Sequence, residues 1–418
     1  MFDKHGNGPL EAAANCSPEF RLALACARWP LQSQERDEIR ALASAPLDWN
    51  RFVRTIRHHQ ILPLAYRNLH DCLTEDRSPI IARLLPQLFS LTRRSRNQIT
   101  EMIQIVERLE AAGVEPIALK GAVLSKLAFG DPAMRTCVDL DLLVSAARVS
   151  EVDRLMREAH YKRIVPAASL TSRRLEHYLK YHKHFVYVSE TREMVVEIHW
   201  RLFSSAFMWS ESGDEPLSTM SVEMGTRALK TLSRIDLFLY LCVHGAIHRF
   251  AVLKWIADIA AMLRAMTREE FARVVARASS LGVIAEMNAA LNLIEGMLSV
   301  SAPCPIASGK ADSQAMRIVE ASYAMLSKGE SSRTALQLSR IPRLIYRLRL
   351  RSRWRYRREQ MLGVAIRPAD WDVIDLPDAL FWLYLGLAPF GWLLRHESST
   401  HSSESGSAMP DHDSPSRR

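Results

Sequence analysis

The amino-acid sequence predicts an α+β fold: a small mixed sheet with flanking helices, embedded between an N-terminal and a C-terminal helical region. Three observations predict it. Apolar residues recur at three- and four-residue steps from residue 17 to about residue 95, and again from Arg227 to about Leu298, the period of one-sided helices. Between these regions the pattern breaks into short apolar runs separated by glycine and polar turns. Those runs alternate strand and helix before closing on two adjacent strands, the layout of a sheet with helices packed on it.

The elements follow in order. LDWNRFVRTIRHHQILPLAYRNL is helical, with Trp49, Phe52, Val53 and Ile56 on one side, and His58 and His59 read as helix-end or interface residues. A long amphipathic helix is expected from about Gln87 to Ala112, ended by Gly113. GVEPIALKG then reads as a strand entering a glycine turn, AVLSKLAF as a two-turn helix, GDPAMR as a loop and CVDLDLLV as the second strand. ARVSEVDRLMREAHY is an amphipathic helix and KRIVP an edge strand. KHFVYVSETREMVVEIHW gives two strands across the polar turn Glu190 to Glu193. On this reading the chain divides into a flexible N-terminus (1–16), an N-terminal helical region (17–95), a sheet-bearing core (96–225), a C-terminal helical region (226–395) with an arginine-rich stretch (340–358), and a disordered tail (396–418) too poor in apolar residues to fold.

Composition narrows the function classes. The 418 residues are 48% hydrophobic and 24% charged, an ordinary globular balance and enough chain for roughly two to three domains. Cys16, Cys26, Cys72, Cys137, Cys242 and Cys304 form no CxxC pair, which argues against a zinc ribbon or a disulfide framework and fits a reducing cytoplasm. The first residues lack the layout of a secretory signal. ALFWLYLGLAPFGWLL, 379–394, falls short of the roughly 20 apolar residues of a spanning helix and contains Gly386, Pro389 and Gly391. A cytoplasmic protein is expected, with peripheral contact at the inner membrane face through 340–395 as a secondary expectation. The net charge of +9 is concentrated in SRIPRLIYRLRLRSRWRYRR, where arginines interleave with Tyr346, Trp354 and Tyr356. That stretch is read either as a solvated helical face whose arginine stems cover apolar surface or as a grip for RNA or an anionic membrane.

The chemistry sits in MRTCVDLDLLV. Alternate side chains of a strand share a face, so Asp139 and Asp141 point together with Cα atoms roughly 6.6 Å apart, while Leu140, Leu142 and Val144 face the core. A carboxylate taken out of water needs a partner or a cation. Two carboxylates at this spacing suit Mg²⁺, which favours one or two carboxylates with phosphate oxygens and water. In VVEIHW the same alternation puts Glu197 and His199 on one face and Val196, Ile198 and Trp200 on the other. If that strand lies beside CVDLDLLV, the three carboxylates converge. LKGA, ending a strand in a glycine that opens a helix, offers backbone N–H groups to a phosphate, with Lys120, Lys126 and Arg135 as nearby cations. In HGAIHRFAVLKWIADIA, His244 and His248 are four apart on one helical face, but HxxxH without the intervening glutamate is no zinc-protease motif. A helix presenting His244, His248, Lys254 and Asp258 either lines a nucleotide or acceptor pocket or buttresses the sheet with Trp255 as core.

ALKGAVLSKLAFGDPAMRTCVDLDLLV, VVEIHW and LCVHGAIHRFAVLKWIADIA together resemble the bacterial family of uncharacterised nucleotidyltransferases, a branch of the polymerase-beta-like superfamily. The likeness extends from LDWNRFVRTIRHHQILPLAYRNL to WDVIDLPDALFWLYLGLAPFGWLL. It implies a nucleotidyltransferase-type sheet and transfer of a nucleoside monophosphate from an NTP such as ATP to an acceptor. Asp139 and Asp141 would bind two Mg²⁺ ions and the triphosphate, and Glu197 the second metal while helping to deprotonate the attacking hydroxyl. Lys120 and Gly121 would form the phosphate turn, although Gly121-Ala122 replaces the superfamily's Gly-Ser or Gly-Gly and loses a hydroxyl. A sugar or polysaccharide intermediate, a modified peptide, or tRNA are the implied acceptors. The alternative is a catalytically inactive scaffold of the same fold that binds RNA, an anionic membrane surface or a biosynthetic complex.

Overall fold

The structure is a computed structural model that describes residues 16–73, 78–167, 169–189, 191–209, 216–304, 313–326, 340–366, 368–371 and 374–386. The expected flexible N-terminus, apart from Cys16, the tail 396–418 and the second half of ALFWLYLGLAPFGWLL lie outside these residues. No helix among the described residues is long and apolar enough to cross a membrane.

In chain order the elements are α1 (Pro18–Ala25), α2 (Ser33–Ser44), α3 (Trp49–His58), α4 (Leu62–Cys72), α5 (Ser78–Ala111), β1 (Ile117–Ala118), α6 (Gly121–Phe129), β2 (Leu140–Leu143), α7 (Val149–Glu158), β3 (Lys162–Val165), α8 (Ser172–Tyr181), β4 (His184–Ser189) and β5 (Met194–His199). There follow β6 (Thr219–Met224), β7 (Arg227–Leu232), α9 (Arg234–Ile247), α10 (Leu253–Arg264), α11 (Arg268–Leu281), α12 (Ile284–Leu298), α13 (Ser313–Leu326), α14 (Arg340–Arg349), α15 (Trp354–Ala365) and the single turn α16 (Pro368–Trp371). Several helix starts carry side-chain caps, at Ser17, Asp48, Thr171, Ser233 and Thr267 among them. Asp48 accepts from the N–H groups of Asn50 and Arg51, and Thr267 and Glu270 form a reciprocal capping box at α11, satisfying donors that a first helical turn leaves open.

Three elements differ from the sequence reading. The long helix begins at Ser78 and carries Pro86 inside it. A proline there removes one backbone hydrogen bond, but buried Ile80 and Leu84 anchor the preceding turns. Residues 227–232 are not helical: β6 and β7 form a hairpin in register from Thr219↔Leu232 to Met224↔Arg227. Finally, the stretch from His244 to Asp258 is two helices, because Arg249 and Phe250 adopt positive φ of 57° and 42°. The break is fixed by a close approach in which a Cβ on Gly245 would meet the Phe250 ring at 2.2 Å.

The chain forms two compact units. The first comprises 1–108, 116–140 and 209–333. Here β1 pairs in parallel with β7 at Ala118↔Thr231, reinforced by the Thr231 hydroxyl donating to Ala118 O at 2.6 Å, and β6 pairs antiparallel with β7. Helix α9 is buried around almost its whole circumference, from Leu237 to Val243, the signature of a central helix; α10, α11 and α12 pack against it. His59, at the end of α3, accepts through Nδ1 from Leu253 N and so ties α3 to the start of α10, the helix-end role its position suggested.

The second unit comprises 109–115, 141–208 and 334–418. Its strands run β3-β4-β5-β2, antiparallel from β3 through β5, with Val144 N donating to His199 O at 2.8 Å between β2 and β5. Arg174 on α8 is buried and donates to Asp375, Leu376 O and Tyr384 Oη, which fastens the segment 374–386 to that helix. The sheet is mixed as expected, and the hairpin β6–β7 raises its described strands to seven.

Candidate functional site

The strand β2 starts at Leu140, with Asp139 in the bend just before it. Leu140, Leu142 and Val144 are buried at 1%, 0% and 4% exposure, so the core-facing half of the expected alternation holds. The boundary between the units falls inside this strand, between Leu140 and Asp141. The neighbouring strand β5 brings Glu197 and His199 to Asp141. Carboxylate oxygens of Asp139, Asp141 and Glu197 all lie within 4.8 Å of one another.

This corner also holds two histidines. His199 is fully buried and places Nε2 3.1 Å from Asp141 Oδ1 and 3.0 Å from Glu197 Oε2. His184 pairs with His199 across the β4–β5 ladder and places Nδ1 2.9 Å from the same Glu197 oxygen. Burial works to raise Glu197, but the adjacent His184 and His199 more than offset it and hold the carboxyl well below its ordinary range. Burial pushes His184 down to about 4, against the pull of Glu197. The state at neutral pH is therefore an ionised Glu197 beside a neutral imidazole. His184 is a site residue that the motif reading passed over. Its signal was available, since a hairpin turning at 190–193 pairs residues whose numbers sum equally, and His184 with His199 satisfies the same sum as Ser189 with Met194.

The other predicted residues, Lys120, Gly121, Lys126, Arg135, His244, His248, Lys254 and Asp258, belong to the first unit. Gly121 opens α6 with φ 69°, a conformation that side chains disfavour. Arg135 is buried and donates through Nε to Asp258 Oδ2 at 2.8 Å; although burial opposes its charge, Asp258 and Cys137 raise its pKa further. Lys254 hydrogen-bonds to Gln60 and to Thr136 O. Burial and then the Arg135 charge lower it to about 8, with Cys137, Asp258 and Asp139 pulling the other way. Asp139 therefore belongs electrostatically with this cluster as well. The His244 and His248 rings lie tilted 4.6 Å apart, and both meet Trp255, His244 edge-on at 5.5 Å and His248 tilted at 5.4 Å. Trp255 is half-buried, and so does not take the core place given it in the buttress alternative. Lys120 lies over the Tyr240 ring, 5.8 Å from its centroid, next in line to His244. Lys126 instead turns back to the carbonyl of Gly130, which ends its own helix.

The family model described as "Uncharacterised nucleotidyltransferase" matches residues 45–299, a span that contains every residue of these two clusters. The chain belongs to this nucleotidyltransferase family. None of the curated proteins matches it. Among solved structures it is similar to an antigenic nucleotidyltransferase-like protein from Paracoccidioides brasiliensis, at 14% identity over 50% of this chain and 95% of that one, with a TM-score of 0.28; a likeness this low carries no inference. Membership of a nucleotidyltransferase family points to a transferase. Its carboxylate group has the donor chemistry of a divalent-cation site.

Proposed function

We propose that this nucleotidyltransferase moves a nucleoside monophosphate from an NTP to a hydroxyl or phosphate of an acceptor, with Asp139, Asp141 and Glu197 holding two Mg²⁺-class ions. The observation that carries the reading is the convergence of the three carboxylates within 4.8 Å. The donors fit the group: acidic oxygens gathered on a buried strand pair carry a negative charge that a divalent ion would neutralise. When bound, such ions neutralise phosphate charge and lower the pKa of an attacking hydroxyl. Glu197, ionised, is the residue that accepts the acceptor's proton. Asp139, in the bend that leads into β2, and Asp141, within that strand, would fix the cation position. Gly121, with its positive φ, turns backbone N–H groups of α6 towards phosphate, and Lys120 and Lys254 supply positive charge to the triphosphate. Arg135, locked to Asp258, positions the chain that leads into Asp139.

The test is pyrophosphate release by the purified chain with each of the four NTPs, a divalent cation and cell extract as acceptor. Release that disappears in Asp139→Ala and Glu197→Gln supports the reading. A folded protein that releases no pyrophosphate with any NTP and binds no divalent cation overturns it. Sugars, peptides and tRNA, added singly in place of the extract, identify the acceptor.

A second reading has its own observation. Among the described residues, exposed large apolar side chains gather in 345–385: Ile345, Trp354 (63% exposed), Met361, Leu380, Trp382 (64%) and Leu385. On α15, Trp354, Arg358 and Met361 share a face at i, i+4 and i+7, and Arg358 lies 4.9 Å from the Trp354 ring centroid. We infer an affinity of this basic, aromatic surface for anionic lipid, as in interfacial helices. Binding to anionic but not neutral vesicles that falls steeply with salt supports it. Binding that survives removal of the arginines sinks it.

A further inference from the structure

Two imidazoles meet one carboxylate. The His184 Nδ1 is 2.9 Å from Glu197 Oε2, and His199 Nε2 is 3.0 Å from the same oxygen and 3.1 Å from Asp141 Oδ1. Nitrogen and oxygen donors thus gather in one largely buried corner, closely enough to surround a single ion.

The spacings agree. Ligand bonds of about 2.1 Å set at right angles hold neighbouring donors about 3.0 Å apart. The separations here are 2.9 Å from His184 to Glu197, 3.0 Å from His199 to Glu197 and 3.1 Å from His199 to Asp141. His184, Glu197 and His199 also each offer a ligand atom within 4.8 Å of the others. All four residues lie in the second unit, on three adjacent strands, β2, β5 and β4, whose ladder fixes their register.

We infer that His184 and His199 join Asp141 and Glu197 in a nitrogen-bearing site for a divalent first-row transition ion. Mg²⁺ takes oxygen ligands and dehydrates reluctantly, whereas imidazole with carboxylate suits manganese, iron, cobalt or zinc. The inference rests on the reading of Asp141 and Glu197 as metal ligands, and it specifies which kind of metal that corner selects.

The experiment is titration of the purified full chain with Mn²⁺, followed by electron paramagnetic resonance with pulsed detection of nitrogen coupling. The expected result is tight Mn²⁺ binding, at least about tenfold stronger than Mg²⁺ in competition, with coupling to directly bound imidazole nitrogen that weakens in His184→Ala. Should that variant fail to fold, the wild-type nitrogen coupling decides alone. Mn²⁺ bound without nitrogen coupling overturns the inference and leaves a purely carboxylate site. A folded chain that binds no Mn²⁺ overturns it too. Nucleotidyl transfer is scored separately by pyrophosphate release, so a chain with a nitrogen-coupled ion and no pyrophosphate release keeps this inference and loses that activity.

Discussion

Two buried charge clusters, one in each unit, are built on opposite principles. In the first unit Arg135 and Lys254 stand against Asp258, and Asp139 adds its field to theirs. Cation and anion are matched there, and the central pair closes at 2.8 Å with both side chains almost wholly out of water. In the second unit Asp141 and Glu197 face His199 and a neutral His184, so acid exceeds fixed positive charge. A matched cluster holds its shape by itself. An acid-rich one is incomplete, and its natural complement is a cation from outside. The difference bears on the proposed activity: on that reading Arg135 and Asp258 position the chain, whereas Asp141 and Glu197 hold the cation.

That contrast can be broken from the matched side, where the largest effect is expected. Replacing Asp258 by Ala strands Arg135 in the interior and should cost about 3–5 kcal/mol in urea unfolding, with a good part recovered in the double variant Arg135→Met, Asp258→Ala. Next comes Gly245→Ala, which drives a methyl into the Phe250 ring and should cost about 1–3 kcal/mol. A change on the acid-rich side should behave differently. Asp141→Asn should shift metal-free stability by no more than about 1 kcal/mol, while removing the rise in Tm that divalent ions are expected to give the parent chain. Equal losses of metal-free stability in Asp258→Ala and Asp141→Asn would erase the contrast.

The smallest effect is a pH dependence common to both units. Burial depresses His59 to about 3 and His177 to about 4, each from 6.5. A buried neutral histidine binds its proton later than the unfolded chain does. Its contribution is complete above about pH 6.5 and is lost as the pH falls towards the folded values, with a slope of about 1.4 kcal/mol per pH unit for each group. Urea midpoints should therefore decline from pH 6.5 to pH 4. A flat profile across that window would show that these rings are protonated when folded.

Much of this was legible in the sequence because alternation is a strict geometric rule. Asp139 and Asp141 against Leu140, Leu142 and Val144, and Glu197 with His199 against Ile198, follow from a period of two, and the structure keeps both faces. The hairpin β6–β7 was also written in period two, with Val222 and Met224 buried between exposed Ser221 and Glu223. It was masked because β7 leads straight into α9, whose continuous apolar run swamps a six-residue strand. The break between α9 and α10 could not be read, since it depends on the Phe250 ring lying on Gly245, a contact set by tertiary packing. Likewise His184 carried no motif of its own; only the register of the hairpin gave it a role.

The central claim is that the converging carboxylates serve nucleotidyl transfer, and labelled NTP tests it most directly. The chain is incubated with a divalent cation, an acceptor extract and NTP labelled at either the α- or the γ-phosphate. The account predicts α-label joined to the acceptor and γ-label released in pyrophosphate, both absent in Asp141→Asn. Transfer of the γ-label to the acceptor, or α-label transfer undiminished in Asp141→Asn, would contradict it.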